Sequence, residues 1–525
     1  MIVLAWAILA YVAQPEAEGH KIGYWLKHIR AAPKLEYSND TNVQKLVEIG
    51  PACLPYLKAD LHRTDTGIDR IHRNLWTNGP IFFRSFIPAP IPATHIRANA
   101  AEAISKIGPG ASPLVPDLIV ALNDPDRIVR QNAAHALRYV GCADTNAVQP
   151  LIDMIKSRSP ERGRALDALS AMGPAASPAV PTIIPLLKDR NSDYLAAGCL
   201  GRIGADASNA VDALVEVLNG RSDPKDQERH AKAMAAQALG QIGVSTTNVI
   251  AALVASIERE PSWVRHYAVE ALQKLKPQFS VLPEPLISIL QDTNGWTVQI
   301  ALEALPTFGS SARAAPPAIE QLVKTKPQPE SNLYNDKYTD VFAARAFVRI
   351  APERAAEVLP VLLRGMDDYC WETYQGLLMI TNPPVEFRVL LEQKLKTAGP
   401  LYQLFTAHIL ATWYPSDHKG EQFIRGHLRS PERDIRATAA RILWQITGKT
   451  NESLPVLVES LTPVLDEHSQ GYPQNLEKMG SAASGAIPAL RKALWHPDQY
   501  TRQFVGRALQ TIEAATNAPP HSLTE

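Results

Sequence analysis

The chain has 525 residues, 46% of them hydrophobic, 20% charged and only 7% aromatic. Lys+Arg and Asp+Glu both number 53, a formal net charge of zero. That balance lacks the basic excess with which a sequence-independent nucleic-acid binder displaces counterions. The length allows several ordinary domains of about 150 residues each, or one array that grows by stacking instead of enlarging a single core.

At the N-terminus, Ile2 to Ala13 is an unbroken apolar run followed by Gln14-Pro15-Glu16. It is short for a membrane span, which needs about 20 residues, and has the length of a signal-peptide core, although no Lys or Arg precedes it. Export or membrane anchoring is the expectation, against the competing reading of a first helix burying its apolar face. The four cysteines, at 53, 142, 199 and 370, follow no metal-ligand or disulfide spacing and have small apolar neighbours, so buried thiols are expected.

Internal repetition is the strongest signal. Apolar-glycine stops recur at Ile107-Gly108, Val140-Gly141, Met172-Gly173, Ile203-Gly204 and Ile242-Gly243, at glycine intervals of 33, 32, 31 and 39. Gly243 to Gly309 is 66, twice 33, and Gly448 to Gly480 is 32. Each stop precedes a similar opening, such as PGASPLVPDLIVAL (109–122), PAASPAVPTIIPLL (174–187) and SAASGAIPALRKAL (481–494). Leu and Ile recur there at i, i+3, i+4 and i+7, one face of a helix. Ser112-Pro113 and Ser177-Pro178 suit an N-cap and first-turn proline, while Pro116 and Pro181 are expected to bend these first helices.

A short turn leads to a second helix. Asp124-Pro125, Ser159-Pro160, Ser430-Pro431 and His496-Pro497 again place a capping-type residue, or a substitute for one, before a first-turn proline. An arginine follows each at 130, 164, 436 and 502, and Arg265 follows Pro261. The clearest copy reads VRQNAAHAL (129–137), whose central alanines let adjacent layers approach closely. The closing glycine can take the left-handed conformation that ends a helix.

The pattern D-P-x-x-x-V-R-x-x-A-A-x-A-L-x-x-hydrophobic-G resembles the HEAT repeat, in the bacterial variant also seen in phycobilin lyases. The resemblance is clean over about residues 96–275 and implies an all-α, armadillo-like solenoid of about a dozen stacked antiparallel helix pairs. It also implies that a second-helix arginine pairs with an Asp of its own or the next repeat, here Arg130 with Asp124 or Asp126. A second likeness covers about the first 60 residues, where the apolar run precedes GHKIGYWL (19–26) and IGPA (49–52). These are similar to membrane-tethered bacterial HEAT-repeat proteins with no assigned activity.

The expected organisation is an apolar segment (1–18), a first helix pair (19–61), an aromatic and basic insertion (62–95) and regular repeats (96–324). Divergent pairs (325–419), C-terminal repeats (420–515) and a tail (516–525) follow. Residues 62–95 hold Trp76, Phe82, Phe83 and Phe86 with four Arg and three His. They are expected to form an expanded repeat whose aromatics pack on the neighbouring layer; the competing reading is a partner-contacting lobe anchored by Trp76 and Arg84. His62, Asp65, Asp69 and His72 have no metal-site spacing. Residues 325–340 read as a surface loop, and 366–419 as pairs with a bulkier core around Trp371, Tyr374, Trp413 and Tyr414.

No G-x-S-x-G elbow, Walker loop, C-x-x-C or zinc-protease signature occurs. No catalytic residue, metal or cofactor is therefore expected. His135, His230, His266 and His408 fall on predicted helices without a repeating acidic partner. The expected function is a non-catalytic scaffold that grips a protein or peptide on a concave face lined by second helices, with Gln131, His135 and Arg138 as contacts. No nucleic-acid partner is expected. The cell envelope is the expected location, through a possible N-terminal membrane attachment, with the cytoplasm as the alternative. Two other functions follow from fold analogy: bilin-lyase-like chromophore handling, and DNA binding of the alkylpurine glycosylase type.

Overall fold

A computed structural model describes residues 15–31, 41–80, 84, 88–141, 144–156, 161–220, 226–260, 262–275, 284–292, 295–324, 338–367, 371–381, 383, 385, 387–461 and 471–517. The run Ile2–Ala13, Cys142, Cys370 and Phe82, Phe83 and Phe86 lie outside these residues, as do 325–337. Contacts divide the chain into two units, residues 1–182 with 461–525, and residues 183–460.

The first unit opens with a minimal antiparallel ladder, β1 (Glu16–Ala17) against β2 (His20–Lys21). Lys45 fixes it, with Nζ 2.6 Å from Glu18 and 2.7 Å from Glu48. Then come α1 (Ile22–Ala31), α2 (Thr41–Ile49), α3 (Leu54–Leu61) and α4 (Gly67–Asn78). They are followed by α5 (Ala93–Ile107), α6 (Val115–Ala121), α7 (Arg127–Val140), α8 (Val148–Lys156) and α9 (Glu161–Met172).

The helix α7 shows how the repeat works. Val129, Ala133, Ala134, Ala136, Leu137 and Val140 are buried, the i, i+4, i+7 pattern of one apolar face. Ala133 and Ala134 have no exposed surface, and these small side chains let α5, α7 and α9 pack closely side by side. Asp126 caps the N-terminus, accepting from the Ile128 and Val129 amides, and Gly141 ends the helix at φ 79, ψ 52. The helix thus starts beyond the Asp124-Pro125 pair expected to cap it, and the Pro125 carbonyl accepts from Arg130 instead.

The openings also differ from expectation. Gly108–Leu114 is a 3-10 turn, and α6 begins only at Val115. Pro116 therefore sits in the first turn of α6, where its missing N–H costs nothing, and does not bend the helix. Pro109 and Pro113 favour the tighter coil because neither can donate to a continuing α-helical ladder. Gly173–Ala179 and Gly480–Ala486 repeat this 3-10 geometry.

In the second unit the helices are α10 (Asp193–Ile203), α11 (Val211–Asn219), α12 (Asp226–Ile242), α13 (Thr247–Arg259), α14 (Ser262–Leu275), α15 (Glu284–Ser288) and α16 (Gly295–Ala304). They continue with α17 (Pro316–Lys324), α18 (Thr339–Ile350), α19 (Leu359–Asp367), α20 (Trp371–Leu378) and α21 (Phe387–Thr397). The unit closes with α22 (Pro400–Trp413), α23 (Lys419–Gly426), α24 (Arg433–Thr447) and α25 (Ser453–Glu459). The second helices α10, α12, α14, α16, α18, α20, α22 and α24 pack in that order. A Cβ on Gly240 would lie 2.6 Å from the Ala271 Cα, so glycine lets α12 approach α14. The divergent pairs (325–419) bury several large side chains. Phe342 and Phe347 are fully buried there, and Trp413 Nε1 donates to the Leu377 carbonyl at 3.0 Å.

The chain then re-enters the first unit with α26 (Gly471–Met479), α27 (Ile487–Ala493) and α28 (Gln499–Asn517). Here α28 packs on the Gly108–Leu114 turn. The approach is close: a Cβ on Gly506 would lie 2.6 Å from Pro109 Cγ, and one on Gly110 3.1 Å from the Leu494 carbonyl oxygen.

A repeated cationic staple links successive layers. Arg130 donates to the Asp124 and Pro125 carbonyls at 2.7 and 3.0 Å and reaches the next repeat's Glu161 at 2.8 Å. Its carboxylate partner is therefore Glu161, not Asp124 or Asp126, because Asp124 is held by both arms of Arg97 at 2.7 and 2.9 Å. Arg30 with Asp60, Lys232 with Glu260 and Arg265 with Asp292 follow the same rule. Arg436 again holds the loop behind it, donating to the Ser430 and Pro431 carbonyls at 2.7 and 3.0 Å. Arg502 binds the His496 and Pro497 carbonyls at 2.6 and 2.8 Å in this way, and its other nitrogens donate to the Lys106 and Ile107 carbonyls at 2.7 and 2.9 Å. In the last repeat, the staple grips the C-terminal end of α5.

Candidate partner-binding face

Close packing of α5, α7 and α9 leaves a groove along their exposed side, with a volume of about 570 Å³. From α5 it is lined by Thr94, His95, Ala98, Asn99 and Glu102; Asp126, Ile128, Gln131 and Asn132 come from the cap and first turns of α7, and Arg164 from α9. The repeats contribute equivalent positions, since 95 and 128, and likewise 99 and 132, are 33 residues apart.

The two asparagines are structural as well as lining. Asn132 Nδ2 donates to the Ala98 carbonyl at 2.9 Å, and Asn99 Nδ2 to the Ile29 carbonyl at 2.8 Å, each tying one layer to another. Glu102 sits at the groove's edge with Oε2 3.6 Å from His135 Nδ1. Burial pushes its carboxyl up, but His135, Lys106 and Arg164 together outweigh this and hold it below the usual glutamate range. The groove therefore offers a charged carboxylate, an exposed guanidinium at Arg164 and an exposed apolar side chain, Ile128 at 58%.

The residues named from sequence fall in four places. Gln131 lines the groove. His135 lies one turn further along, partly buried, edge-on to Tyr139 and facing Glu102. Arg138 is half exposed and joined to Asp167 of α9 at 2.9 Å, a link between layers. Trp76 and Arg84 come together in the insertion: the guanidinium lies 6.0 Å from the indole centroid, and Nε donates to the Trp76 carbonyl at 3.0 Å. Trp76 belongs to α4, which contributes no fully buried residue, and is itself half buried.

The neighbouring acids and histidines each have separate work. His62 bonds to Asp117 at 2.8 Å, Asp65 to Arg73 at 2.5 Å and His72 to the Pro88 carbonyl at 3.0 Å, while Asp69 caps α4. Cys53 and Cys199 are buried, and burial pushes the Cys53 thiol up to about 12.

In the second unit the same face carries an aromatic row that the sequence reading missed. His230, Trp263 and Trp296 stand 33 residues apart, and that strict spacing was the available signal. His230 and Trp263 rings are 4.8 Å apart, and His266 stacks on Trp296 at 4.6 Å. Burial lowers the His266 pKa against the opposing pull of Glu270 and Glu303. Further along, Tyr374 Oη lies 2.5 Å from Nδ1 of buried His408. Burial, helped by Arg441, brings His408 down to about 4.

Stacked helix pairs with a glycine stop and a cationic staple decide the architecture. The fold is a HEAT-type α-solenoid. Residues 92–170, which contain most of the groove, match the family described as HEAT repeats. Among solved structures, yeast importin-beta (Kap95p) is similar at TM-score 0.52 and 12% identity, covering 91% of this chain and 71% of that one. Kap121p is similar at TM-score 0.47 and 15% identity, covering 91% of this chain and 57% of that one. The chain thus spans little more than half the length of Kap121p. No curated protein matches it in sequence. At these identities the likeness concerns the fold alone.

Proposed function

We propose that this protein is a non-catalytic scaffold that binds a protein or peptide partner on the second-helix face of its first unit. One observation carries the reading: an open groove presents, over consecutive repeats, the Glu102 carboxylate, the Arg164 guanidinium, the Gln131 amide and the exposed Ile128 side chain. Polar groups fixed on rigid helices around an apolar contact suit recognition of an extended surface. Affinity comes from several repeats together, so no single deep pocket is needed. The apolar run Ile2–Ala13 supports the further reading that the scaffold is held at the cell envelope.

The test is a paired substitution, Ile128→Asp with Arg164→Glu, in tagged full-length protein captured from its native cells. Both side chains are exposed, so helicity should stay unchanged while a stoichiometric partner is lost. Retention of that partner by the folded double variant would remove the groove from the binding surface. Fractionation after deletion of residues 1–18 tests the tether; a protein that stays with the membrane without them is held by something else.

A further inference from the structure

The helix α4 presents an apolar face to solvent. Ile68, Ile71 and Leu75 are 78%, 63% and 44% exposed. At 100° per residue these three side chains fall within an arc of about 60°. Such a stripe is normally buried, yet no residue of α4 is. The helix holds its shape by local bonds instead. Thr66 Oγ1 accepts from the Asp69 amide at 3.2 Å, and Asp69 Oδ2 accepts from the Thr66 amide at 2.8 Å, a complete capping box. It is thus a capped amphipathic helix set into the loop between α3 and α5, in a stretch that interrupts the repeat.

We propose that α4 docks on an anionic membrane surface, its Ile68-Ile71-Leu75 stripe entering the boundary between headgroups and acyl chains. Two features favour lipid over a protein partner. The charge around the stripe is basic: Arg73 is neutralised by Asp65 and Arg63 lies 3.4 Å from Asp69, whereas Arg70 and Arg84 have no carboxylate partner among the described residues. Trp76 lies on the flank of the helix, about 80° round from Ile68, half buried with Arg84 beside its ring. An apolar stripe, arginines on the remaining faces and a flanking indole make up the chemistry of helices that lie in the interfacial plane. The proposal does not depend on the groove or on its partner. If the N-terminal segment is an anchor, α4 gives the first unit a second contact with the same surface, and two weak attachments hold where one is marginal.

The experiment is vesicle co-sedimentation of the full-length protein with phosphatidylcholine vesicles, alone or containing phosphatidylglycerol. Wild type and the doubly substituted Ile68→Asp, Ile71→Asp protein are compared, together with Arg70→Gln. Both isoleucines lie on the exposed face, so the variants should keep wild-type helicity. The expected result is binding that rises with phosphatidylglycerol, falls at least about tenfold in the double variant and falls a few-fold in Arg70→Gln. Equal vesicle binding by wild type and double variant would overturn the proposal and leave any lipid affinity to other segments. Loss of the captured protein partner in the double variant, with vesicle binding unchanged, would overturn it as well, by making α4 a protein contact.

Discussion

Replacing Arg502 with alanine should detach the C-terminal helices from the turn at 108–114 while the rest of the chain stays folded. The guanidinium is buried, the residue being only 3% exposed, and burial brings its pKa down to about 10 against the pull of Asp498. It is held by four carbonyl oxygens, two in its own loop and two, those of Lys106 and Ile107, at the end of α5. A hydrogen bond from a charged donor contributes about 1.5–3 kcal/mol. The two bonds that cross to α5 are thus worth about 3–6 kcal/mol. Water entering the vacated space recovers part of this, leaving an expected loss of about 3–4 kcal/mol in the docking of 471–517. Hydrogen exchange read by mass spectrometry reports it directly: amides of α28 should lose protection by roughly several hundredfold, with α12 and α14 unchanged. Arg130→Ala is the control: its staple joins α7 to Glu161 of α9, so its loss should be confined to α7 and α9 and leave α28 protected. Unchanged exchange in α28 of Arg502→Ala would refute the idea that the staple holds this contact.

Three further outcomes are expected. Ala133→Leu overpacks the seam between α5 and α7, where Ala133 has no exposed surface, and should cost about 1–3 kcal/mol by denaturant midpoint. Gly506→Val sets a side chain into the Pro109 ring and should reproduce the α28 exchange defect without touching Arg502; normal protection there would mean that the turn yields. His408 supplies a pH signature. Its folded pKa, about 4, lies below the ordinary value of 6.5, so between these values the unfolded chain binds the proton that the folded chain refuses. Stability is therefore full above about pH 6.5 and falls as pH drops towards 4, by roughly 2 kcal/mol between pH 7 and pH 5. A His408→Gln protein should show a shallower fall over that interval, and parallel curves would place the titration elsewhere.

The repeat was legible because its strongest constraints are local. A glycine such as Gly141 sits at positive φ, where other residues are strained, and that need recurs at Gly108, Gly173, Gly204 and Gly243, once per helix pair in the regular repeats. The buried alanines of α7 likewise announce a close seam. Helix starts were less legible. Pro113 and Pro116 each satisfy the rule for a first-turn proline, and only the 3-10 geometry of 108–114 decides that Pro116 takes that place. The partner of Arg130 was misread because Glu161 lies in the next repeat, beyond a turn whose length varies. The docking of α28 was not legible at all. Arg502 binds backbone carbonyls, which every residue has, some 395 positions away in the sequence. Of the proposed groove, Gln131 was found because it lies on the clearest repeat copy. His95, Asn99 and Glu102 were passed over because α5 directly follows the insertion, although Asn99 and Asn132 share the 33-residue spacing.

The measurement that bears most directly on the central claim is site-specific photo-crosslinking in native cells. A photoreactive side chain would replace Gln131 in the groove or, as control, Val120, which is 60% exposed on the first helix α6. The account predicts that the probe at Gln131 captures a discrete protein that the probe at Val120 does not, and that Ile128→Asp with Arg164→Glu abolishes the capture. Capture from Val120 alone, or equal capture from both positions, would contradict it and move the binding surface away from the second helices.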